Sequence, residues 1–444
     1  MTVDDAKEFL KANEARYLLA QFVDIHGAPK AKAVPVAHAD MVFGDGAGFA
    51  GFALWGFGMG PNGPDYMAVG DPDAVSMVPW MPGYARVACF GHVHGTPYEY
   101  CSRNVLKRAL DGIAAEGYAF YTGIEPEFML LRRGDDGALT PADGTDTLDK
   151  PCYDYKGLAR ATAFLDDLTT ALRSAGVDVY QIDHEDANGQ FEVNFTYADA
   201  MRTADNFTFV KMAASEIARR HGMIATFMPK PFATRTGTGS HFHLSMGSAA
   251  VRNLFADPQD PRGLGLSPMA YAFAAGLLAH APALTAICAP TVNSYKRLVV
   301  GRALSGATWA PAYIAYGDNN RTACVRITSG RIEFRLPDGS CNPYLASAAI
   351  LAAGMDGVRR NLDPGPANNT DLYAATREAI AAAGIRHLPQ NLGEAVAALE
   401  ADDVVRGALG AALAAEFIAL KRMEWIEYSR SVSAWETDRY LEMF

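Results

Sequence analysis

Two glutamates one residue apart, Glu125 and Glu127, lie in the run GIEPEFML at 123–130. The run alternates in polarity, which predicts a strand with both side chains on one face. Two carboxylates at that spacing repel each other unless a cation lies between them, and Mg²⁺ prefers oxygen ligands of this kind. The pair alone is also typical of two solvated glutamates on an edge strand. The interpretation therefore depends on the other acids of the chain.

Three later runs carry further acids and histidines at comparable spacing. HEDANGQFEVNF at 184–195 places Glu185 and Glu192 on either side of a glycine-containing turn, which could bring both carboxylates to one cavity. GTGSHFHLSM at 237–246 and RIEFRLPDG at 331–339 also alternate like strands. Each run alone is equally typical of a surface strand, but together they supply oxygen and imidazole ligands beside arginines. That inventory suits two metal ions and a polyanion.

The elements that must position these residues change in pattern near residue 100. Residues 18–92 contain short strand-like runs around a Gly-rich stretch at 44–65, which suits a small β-rich domain with a long mobile loop. From Ser102 onward, an N-cap serine and helical spacing predict a helix. The second part is therefore expected to be an α+β domain with a largely antiparallel sheet. Its further helices are predicted at 155–175, 201–221, 268–288, 342–360 and 413–430, and in the Ala-rich stretch 374–415.

Composition excludes several classes of function. The 444 residues are 50% hydrophobic and 20% charged with a net charge of −11, which describes a globular chain and argues against nucleic acid as a partner. No apolar run is expected to reach the roughly 20 residues that span a membrane, and the N-terminus lacks the apolar core of a signal peptide. The six cysteines are scattered and form no CxxC motif, as expected for reduced thiols of a cytoplasmic protein.

The residues of these runs and their order along the chain, together with further motifs, resemble those of the glutamine synthetase superfamily. The tail EWIEYSRSVSAWETDRYL at 424–441 also fits. The resemblance implies a small N-terminal β-grasp-like domain, residues 1–100, and a large catalytic β/α domain, residues 101–444. The additional motifs are FMPKP at 227–231, NSYKR at 293–297, NNRTACVRI at 319–327 and the extension of RIEFRLPDG to 357.

The resemblance implies ATP, glutamate and two or three Mg²⁺ or Mn²⁺ ions. The metal ligands it implies are Glu127, Glu185 and Glu192 for an all-oxygen site, and Glu125, His241 and Glu333 for a second site. A site with an imidazole is accepted more readily by Mn²⁺ than by Mg²⁺. The ATP contacts it implies are His243, Ser245, Arg321, Arg326 and Arg331, and the glutamate contacts are Glu127, Gly237, Arg297 and Arg335.

The reaction implied by the family has two steps. ATP phosphorylates the γ-carboxylate of glutamate, because that carboxylate has no good leaving group, and an amine then displaces the phosphate from γ-glutamyl phosphate. The arginines stabilise the charge that develops on the transferred group. The residues expected to act directly are Arg297, Arg321, Arg335 and Glu185, the last as a candidate acceptor of the amine proton.

Two departures from the family bear on the amine. Ala50, in the run FAGFA, replaces a family aspartate that helps to bind ammonium. Ala303 replaces the glutamate at the end of the family's active-site flap, which takes a proton from ammonium. Phe49 and Trp309 make both segments apolar instead, which suits an alkylamine better than ammonium. The pattern resembles the type III-like branch that includes γ-glutamylmethylamide synthetases. A further departure is Thr236, where the family usually has asparagine beside the glutamate substrate.

Methylamine is therefore the expected amine. The alternatives are an ammonia-dependent glutamine synthetase with a rearranged ammonium site, and a ligase for a larger amine such as a polyamine or ethanolamine. A non-catalytic relative is disfavoured because all six implied metal ligands are present. The resemblance also implies a homo-oligomer of stacked rings, a dodecamer, in which the loop at 43–60 completes the active site of a neighbouring subunit.

Overall fold

The computed structural model describes residues 1–300, 309–328 and 330–444, which form two β-sheets with helices packed on them. The strands are β1 (Tyr17–Val23), β2 (Pro29–Pro35), β3 (Ala47–Ala50), β4 (Asp65–Met77), β5 (Tyr84–Val93), β6 (Thr96–Pro97), β7 (Tyr118–Arg133), β8 (Leu139–Pro141), β9 (Val179–His184), β10 (Gln190–Phe195), β11 (Ala198–Asp199), β12 (Ile224–Thr226), β13 (Ser240–Ser248), β14 (Tyr313–Asp318), β15 (Ala323–Thr328), β16 (Arg331–Phe334) and β17 (Arg386–His387). The helices are α1 (Val3–Ala12), α2 (Ala39–Phe43), α3 (Ser102–Ala115), α4 (Tyr155–Arg160), α5 (Thr162–Ser174), α6 (Ala200–Arg220), α7 (Pro268–Cys288), α8 (Pro343–Arg359), α9 (Arg377–Ala382), α10 (Leu392–Ala401), α11 (Asp403–Leu409), α12 (Ala411–Arg430) and α13 (Ala434–Tyr440).

The first sheet has the order β2-β1-β5-β4-β3, with β6 beside β5. It encloses a hydrophobic cluster drawn from residues between Ala6 and Cys101. Part of the Gly-rich stretch that the sequence assigned to a long loop is the edge strand β3. Ala47 and Phe49 alternate into this cluster, and the ring of Phe49 stands nearly perpendicular to that of Phe22 at 4.9 Å. Because alternate side chains of this segment point into the hydrophobic cluster, it forms a strand, although its glycine content favoured a loop.

The second sheet has the order β17-β14-β15-β16-β13-β7-β10-β9, with β8, β11 and β12 also paired to β7. Apart from the parallel β14–β15 pair, its ladders are antiparallel. The predicted α+β class is confirmed. The sixteen-residue β7 holds the sheet together, since β13 pairs with its first half and β10 with its second half.

Helix α7 packs closely on α8 behind the second sheet. A Cβ atom added at Gly276 would lie 2.1 Å from the carbonyl oxygen of Ala353, so only glycine permits this approach. In the described part of the chain, α7 is long and apolar enough to cross a membrane, which corrects the expectation that no run reaches that length. However, 83% of its most apolar window is buried inside the protein, as in a core helix.

The remaining predicted helices are found with small differences at their ends. The helix predicted at 155–175 is divided at Ala161 into α4 and α5. Ser102, predicted as the N-cap of α3, is the first helical residue, and Cys101 occupies the cap position without a side-chain hydrogen bond. The strand predicted from RIEFRLPDG ends at Phe334. Shifts of one or two residues at helix ends, as at Ser102, are common because terminal turns depend on tertiary contacts.

Candidate active site

Neighbouring strands of the second sheet carry four of the five predicted acids on one face, and the fifth, Glu185, lies in the turn between β9 and β10. Glu192 on β10 lies directly opposite Glu127 on β7. Glu125, two residues earlier on β7, lies opposite His241 on β13. Glu333 is on β16, the next strand along. Residues directly opposite each other in an antiparallel pair share a face, so the sheet itself assembles these side chains from distant parts of the sequence.

Glu125, His241 and Glu333 form the first group, and one ligand atom of each lies within 4.8 Å of the others. His241 Nδ1 is 3.4 Å from Glu125 and 3.6 Å from Glu333. Burial opposes ionisation of Glu125, but hydrogen bonds with His241 and His243 hold its pKa well below the usual range. Burial, and then the charge of Arg335, lower the pKa of His241. An ionised carboxylate and a neutral imidazole are the forms that bind a metal ion.

Glu127, Glu185 and Glu192 form the second group. Burial, and then the charge of Glu127, raise the pKa of the Glu185 carboxyl to about 8. Burial, and then the charges of Glu125, Glu127 and Glu185, raise the pKa of Glu192 well above its usual value. These carboxylates therefore repel one another in a shared volume, and a divalent cation would relieve that repulsion. The charge and oxygen ligands of this group suit such an ion, but among the described residues only the first group brings one ligand atom of each member within 4.8 Å of the others.

The turn that carries Glu185 is held by a buried pair that the sequence did not reveal. Asp146 Oδ2 lies 2.9 Å from His184 Nε2 and accepts a hydrogen bond from the Gly189 amide at 2.6 Å. His184 Nδ1 in turn donates to the carbonyl oxygen of Glu185 at 2.9 Å. The side chains of Asp146 and His184 are 2% and 1% exposed. The pair therefore fixes the backbone at both ends of the turn between β9 and β10.

Two arginines flank the first acidic group. Arg326 Nη1 donates to one oxygen of Glu333 at 2.6 Å, and Arg335 Nη1 donates to the other at 2.5 Å. Arg335 Nη2 also donates to the carbonyl oxygen of Trp309 at 2.9 Å. Arg335 Nε is buried and has no hydrogen-bond partner among the described residues. A buried donor without a partner is costly, so this guanidinium edge is suited to an anionic ligand.

Glycines 237 and 239 bring the backbone close to Arg297 and Glu127. A Cβ atom at Gly237 would lie 3.2 Å from the Arg297 side chain, and one at Gly239 would lie 2.8 Å from Arg297 Nη2 and 3.0 Å from Glu127 Oε1. The Gly239 amide donates to Glu127 Oε2 at 2.8 Å. Arg297 is 3% exposed. Gly239 is thus a second glycine needed beside the acids, which the repeated glycine of the GTG run could have indicated.

Three of the five predicted nucleotide contacts, His243, Ser245 and Arg331, line a cavity of about 460 Å³ beside the first acidic group, whereas Arg321 and Arg326 are not in its lining. Arg331 Nε donates to His243 Nδ1 at 3.1 Å, and His243 Nε2 lies 2.7 Å from Glu125. The guanidinium of Arg252 lies over the Tyr197 ring at 5.6 Å, a contact that the sequence did not predict. An aromatic wall and cations suit a base and its phosphates. The lining includes Glu125, Tyr197, His243, Ser245, Arg252 and Arg331.

Other predicted residues lie outside this cluster. Arg321 is exposed in the turn before β15. Phe49 is 9% exposed and packs in the N-terminal cluster, so its side chain has a packing role in this chain, whereas Ala50 at the end of β3 is exposed. Ala303 lies outside the described residues. Trp309 joins the site through its carbonyl contact and is 43% exposed.

A family model described as the catalytic domain of glutamine synthetase matches residues 99–440. The chain belongs to the glutamine synthetase family. It is 60% identical to glutamate–methylamine ligase from Methyloversatilis universalis, with 100% of both chains covered. It is 42% identical to a glutamine synthetase from Rhizobium leguminosarum bv. phaseoli, again over 100% of both chains.

A solved structure described as a GmaS/ADP complex superposes with a TM-score of 0.91 at 45% identity, covering 99% of both chains. An apo GmaS structure gives a TM-score of 0.88 at 44% identity, covering 98% of this chain and 99% of the other. Enzymes of the glutamine synthetase family use ATP and divalent metal ions. The first acidic group, with its imidazole, is a donor set that accepts such an ion.

Proposed function

We propose that this protein is an ATP-dependent ligase that joins the γ-carboxyl group of glutamate to methylamine, giving γ-glutamylmethylamide. The observation that carries the proposal is the 60% identity to glutamate–methylamine ligase over the full length of both chains. The alanines at positions 50 and 303 agree with it, because both replace anions that the ammonia-using family employs.

In the first half-reaction, the chain holds glutamate and ATP on the face of the second sheet. Arg297 binds the α-carboxylate, and the backbone at Gly237 lies against the amino acid. Arg335 faces the γ-carboxylate, and Arg321 and Arg326 face the phosphates. The partnerless Nε of Arg335 supports its part in this assignment. Positive charge placed around the transferred phosphoryl group stabilises it as its bonds loosen.

The two acidic groups would hold divalent ions, Mg²⁺ or Mn²⁺, two or three in number. Glu127, Glu185 and Glu192 would hold one ion, and the other group, with its imidazole, would hold the second. When bound, such ions neutralise phosphate charge and bring the reacting oxygens into line. The raised pKa values of Glu185 and Glu192 support this placement, because these carboxylates need a cation in order to ionise together.

The nucleotide is placed in the cavity lined by His243, Ser245 and Arg331. Glu125 and Tyr197 both line this cavity, so the phosphates of a nucleotide whose base lies near Tyr197 would extend towards the acidic groups and the arginines. In the second half-reaction the amine attacks the acyl phosphate, and a carboxylate such as Glu185 takes its proton. The family motifs support these placements, as do the contacts of His243 with Arg331 and Glu125.

The wider assembly is part of the same proposal. We place a boundary between residues 1–100 and 101–444, supported by the separate N-terminal cluster. We place the protein in the cytoplasm, supported by six free cysteines. A homo-oligomeric ring, expected as a dodecamer, would allow the exposed Ala50 to face a neighbouring subunit's site. Within one chain, Phe49 packs in the N-terminal cluster and Ala50 is exposed at the end of β3.

An amine panel tests the proposed function. Glutamate-dependent ATP turnover is measured in a coupled assay with ammonia, methylamine, ethylamine and putrescine at equal concentrations. The expected order places methylamine first. The principal alternative is ammonia, since full-length relatives at 42% identity are glutamine synthetases. Highest kcat/KM with ammonia would support that alternative, and highest kcat/KM with putrescine would support a ligase for larger amines.

A further inference from the structure

Asp186 connects three segments of the site, although no motif role was expected for it. Its Oδ2 atom accepts hydrogen bonds from Trp309 Nε1 at 2.9 Å and from Thr236 Oγ1 at 3.0 Å. It follows Glu185 directly in the chain, and Thr236 precedes Gly237. Among the described residues, nothing donates a hydrogen bond to its second carboxylate oxygen, Oδ1. This oxygen remains available to a cationic ligand.

Trp309 is held in an unusual conformation at the same place. Its φ angle is +50°, a left-handed value that non-glycine residues rarely adopt. Its carbonyl oxygen accepts a hydrogen bond from Arg335 at 2.9 Å, and its indole N–H is held by Asp186. Backbone strain of this kind persists where surrounding contacts determine it, commonly at ligand sites. Trp309 is 43% exposed despite these contacts, so an apolar residue stands beside the Asp186 carboxylate and near Arg335, the arginine assigned to the γ-carboxylate.

We propose that Asp186 and Trp309 form the recognition site for the alkylammonium substrate. The inference rests on the proposed function and deepens it by naming the groups that select the amine. Methylammonium presents a positive charge and a methyl group. Asp186 Oδ1 attracts the charge, and the indole of Trp309 covers the methyl group and attracts the cation through its ring face. Asp186 thereby supplies within this chain an anion that positions 50 and 303 no longer supply.

The neighbouring acids do not provide this recognition equally well. Glu185 and Glu192 lie within the buried acidic group, and their charge would be neutralised by the ion they hold. Asp186 points instead towards Thr236 and Trp309. Its contact with Thr236 places the ammonium site next to the loop at 237, where the glutamate substrate is expected. Amine and glutamate would therefore meet at the boundary between these two segments.

Matched variants separate the charge from the hydrogen bonds. Asp186→Asn keeps one oxygen to accept from Trp309 and Thr236, removes the negative charge and places an amide NH2 group where Oδ1 was. Trp309→Phe keeps an apolar ring and removes the N–H, whereas Trp309→Ala removes the ring. Asp111→Asn removes the same charge from an exposed position on α3, where Asp111 pairs with Lys107, and serves as the control.

The experiment compares a charged and an uncharged nucleophile with the full-length enzyme, glutamate, ATP and Mg²⁺. Methylamine is mainly a cation near neutral pH, whereas hydroxylamine is mainly uncharged. Asp186→Asn is expected to raise the KM for methylamine about tenfold and to change the KM for hydroxylamine less than about twofold, since only the cation loses a close charge. Trp309→Ala is expected to lower the preference for methylamine over ammonia about fourfold, and Trp309→Phe to retain it.

Equal changes for both nucleophiles, or none, in Asp186→Asn would overturn the proposal, as would an effect of Asp111→Asn of the same size. Failure of the proposed function is distinguishable, because it appears in the wild type as turnover with ammonia and none with methylamine. The same comparison is then made between ammonium and hydroxylamine. Ammonium is also a cation, so its KM must rise in Asp186→Asn for the inference to stand.

Discussion

Arg335→Ala is expected to lower kcat far more than it weakens ATP binding. The side chain is 4% exposed, and it neutralises Glu333, which is 0% exposed. Its Nε atom has no partner among the described residues and is free to meet charge that develops at the γ-carboxyl group. A contact made mainly in the transition state is worth ~3 kcal/mol, or about a hundredfold in kcat.

The same substitution removes a donor from the Trp309 carbonyl and leaves Arg326 as the one arginine that pairs with Glu333 among the described residues. Breaking a buried ion pair can cost ~3 kcal/mol of folding stability, so thermal unfolding of the variant is measured in parallel. Arg331→Ala is the matched control. Arg331 is an exposed arginine at the start of β16, the strand that ends just before Arg335, and it bonds His243 in the nucleotide cavity. Its loss should mainly raise the KM for ATP.

The assay is glutamate-dependent ATP turnover with methylamine, measured over ranges of ATP and glutamate concentration. The expected result is a loss of kcat in Arg335→Ala with a KM for ATP near that of the wild type. If Arg335→Ala instead raises only the KM for ATP, and resembles Arg331→Ala, then Arg335 does not face the reacting carboxyl group. The proposed arrangement of the substrates, with the nucleotide on one side of the site and glutamate on the other, would then be wrong.

Three further predictions concern the metal, the amine and stability. Glu127→Ala should abolish ATP turnover and weaken Mn²⁺ binding by calorimetry about a hundredfold, and unchanged binding would contradict its place in the acidic group. Ala50→Asp should shift the kcat/KM ratio towards ammonia about tenfold, because a restored anion favours the smaller cation; an unchanged ratio would contradict the role of position 50. Hydrogen bonds to Asp402, and less strongly to Asp356, raise the pKa of His280, so its stabilisation is complete below the ordinary histidine pKa and is lost as pH rises through the folded value. His280→Gln should therefore remove a decline in melting temperature above about pH 6.5, and an unchanged profile would refute this.

Local periodicity explains which parts of the site the sequence could predict. Alternation in the runs around Glu127, Glu192, His241 and Glu333 predicted strands, and the structure has β7, β10, β13 and β16 there. Side chains two residues apart then share a face by geometry alone. The order of those strands is a tertiary property, so the pairing of Glu192 with Glu127 could be inferred only from the family resemblance.

Contacts between irregular segments could not be predicted in this way. Asp146 lies 38 residues before His184, in a stretch with no period, and Asp186 meets Trp309 across 123 residues. Both acids support the site from loops, where sequence spacing carries no information about direction. For Phe49, the residue type suggested a role in the amine site that its position in the fold does not support. Its apolar character fitted an amine site, but its alternation within β3 places it in the N-terminal cluster.

A competition experiment tests the central claim most directly. The enzyme is supplied with glutamate, ATP, Mg²⁺ and equal concentrations of methylamine and ammonium, and both amide products are quantified by mass spectrometry at low conversion. The ratio of products equals the ratio of kcat/KM values for the two amines. The proposed function predicts that γ-glutamylmethylamide is the main product. Glutamine as the main product would contradict it and identify the chain as an ammonia-dependent glutamine synthetase.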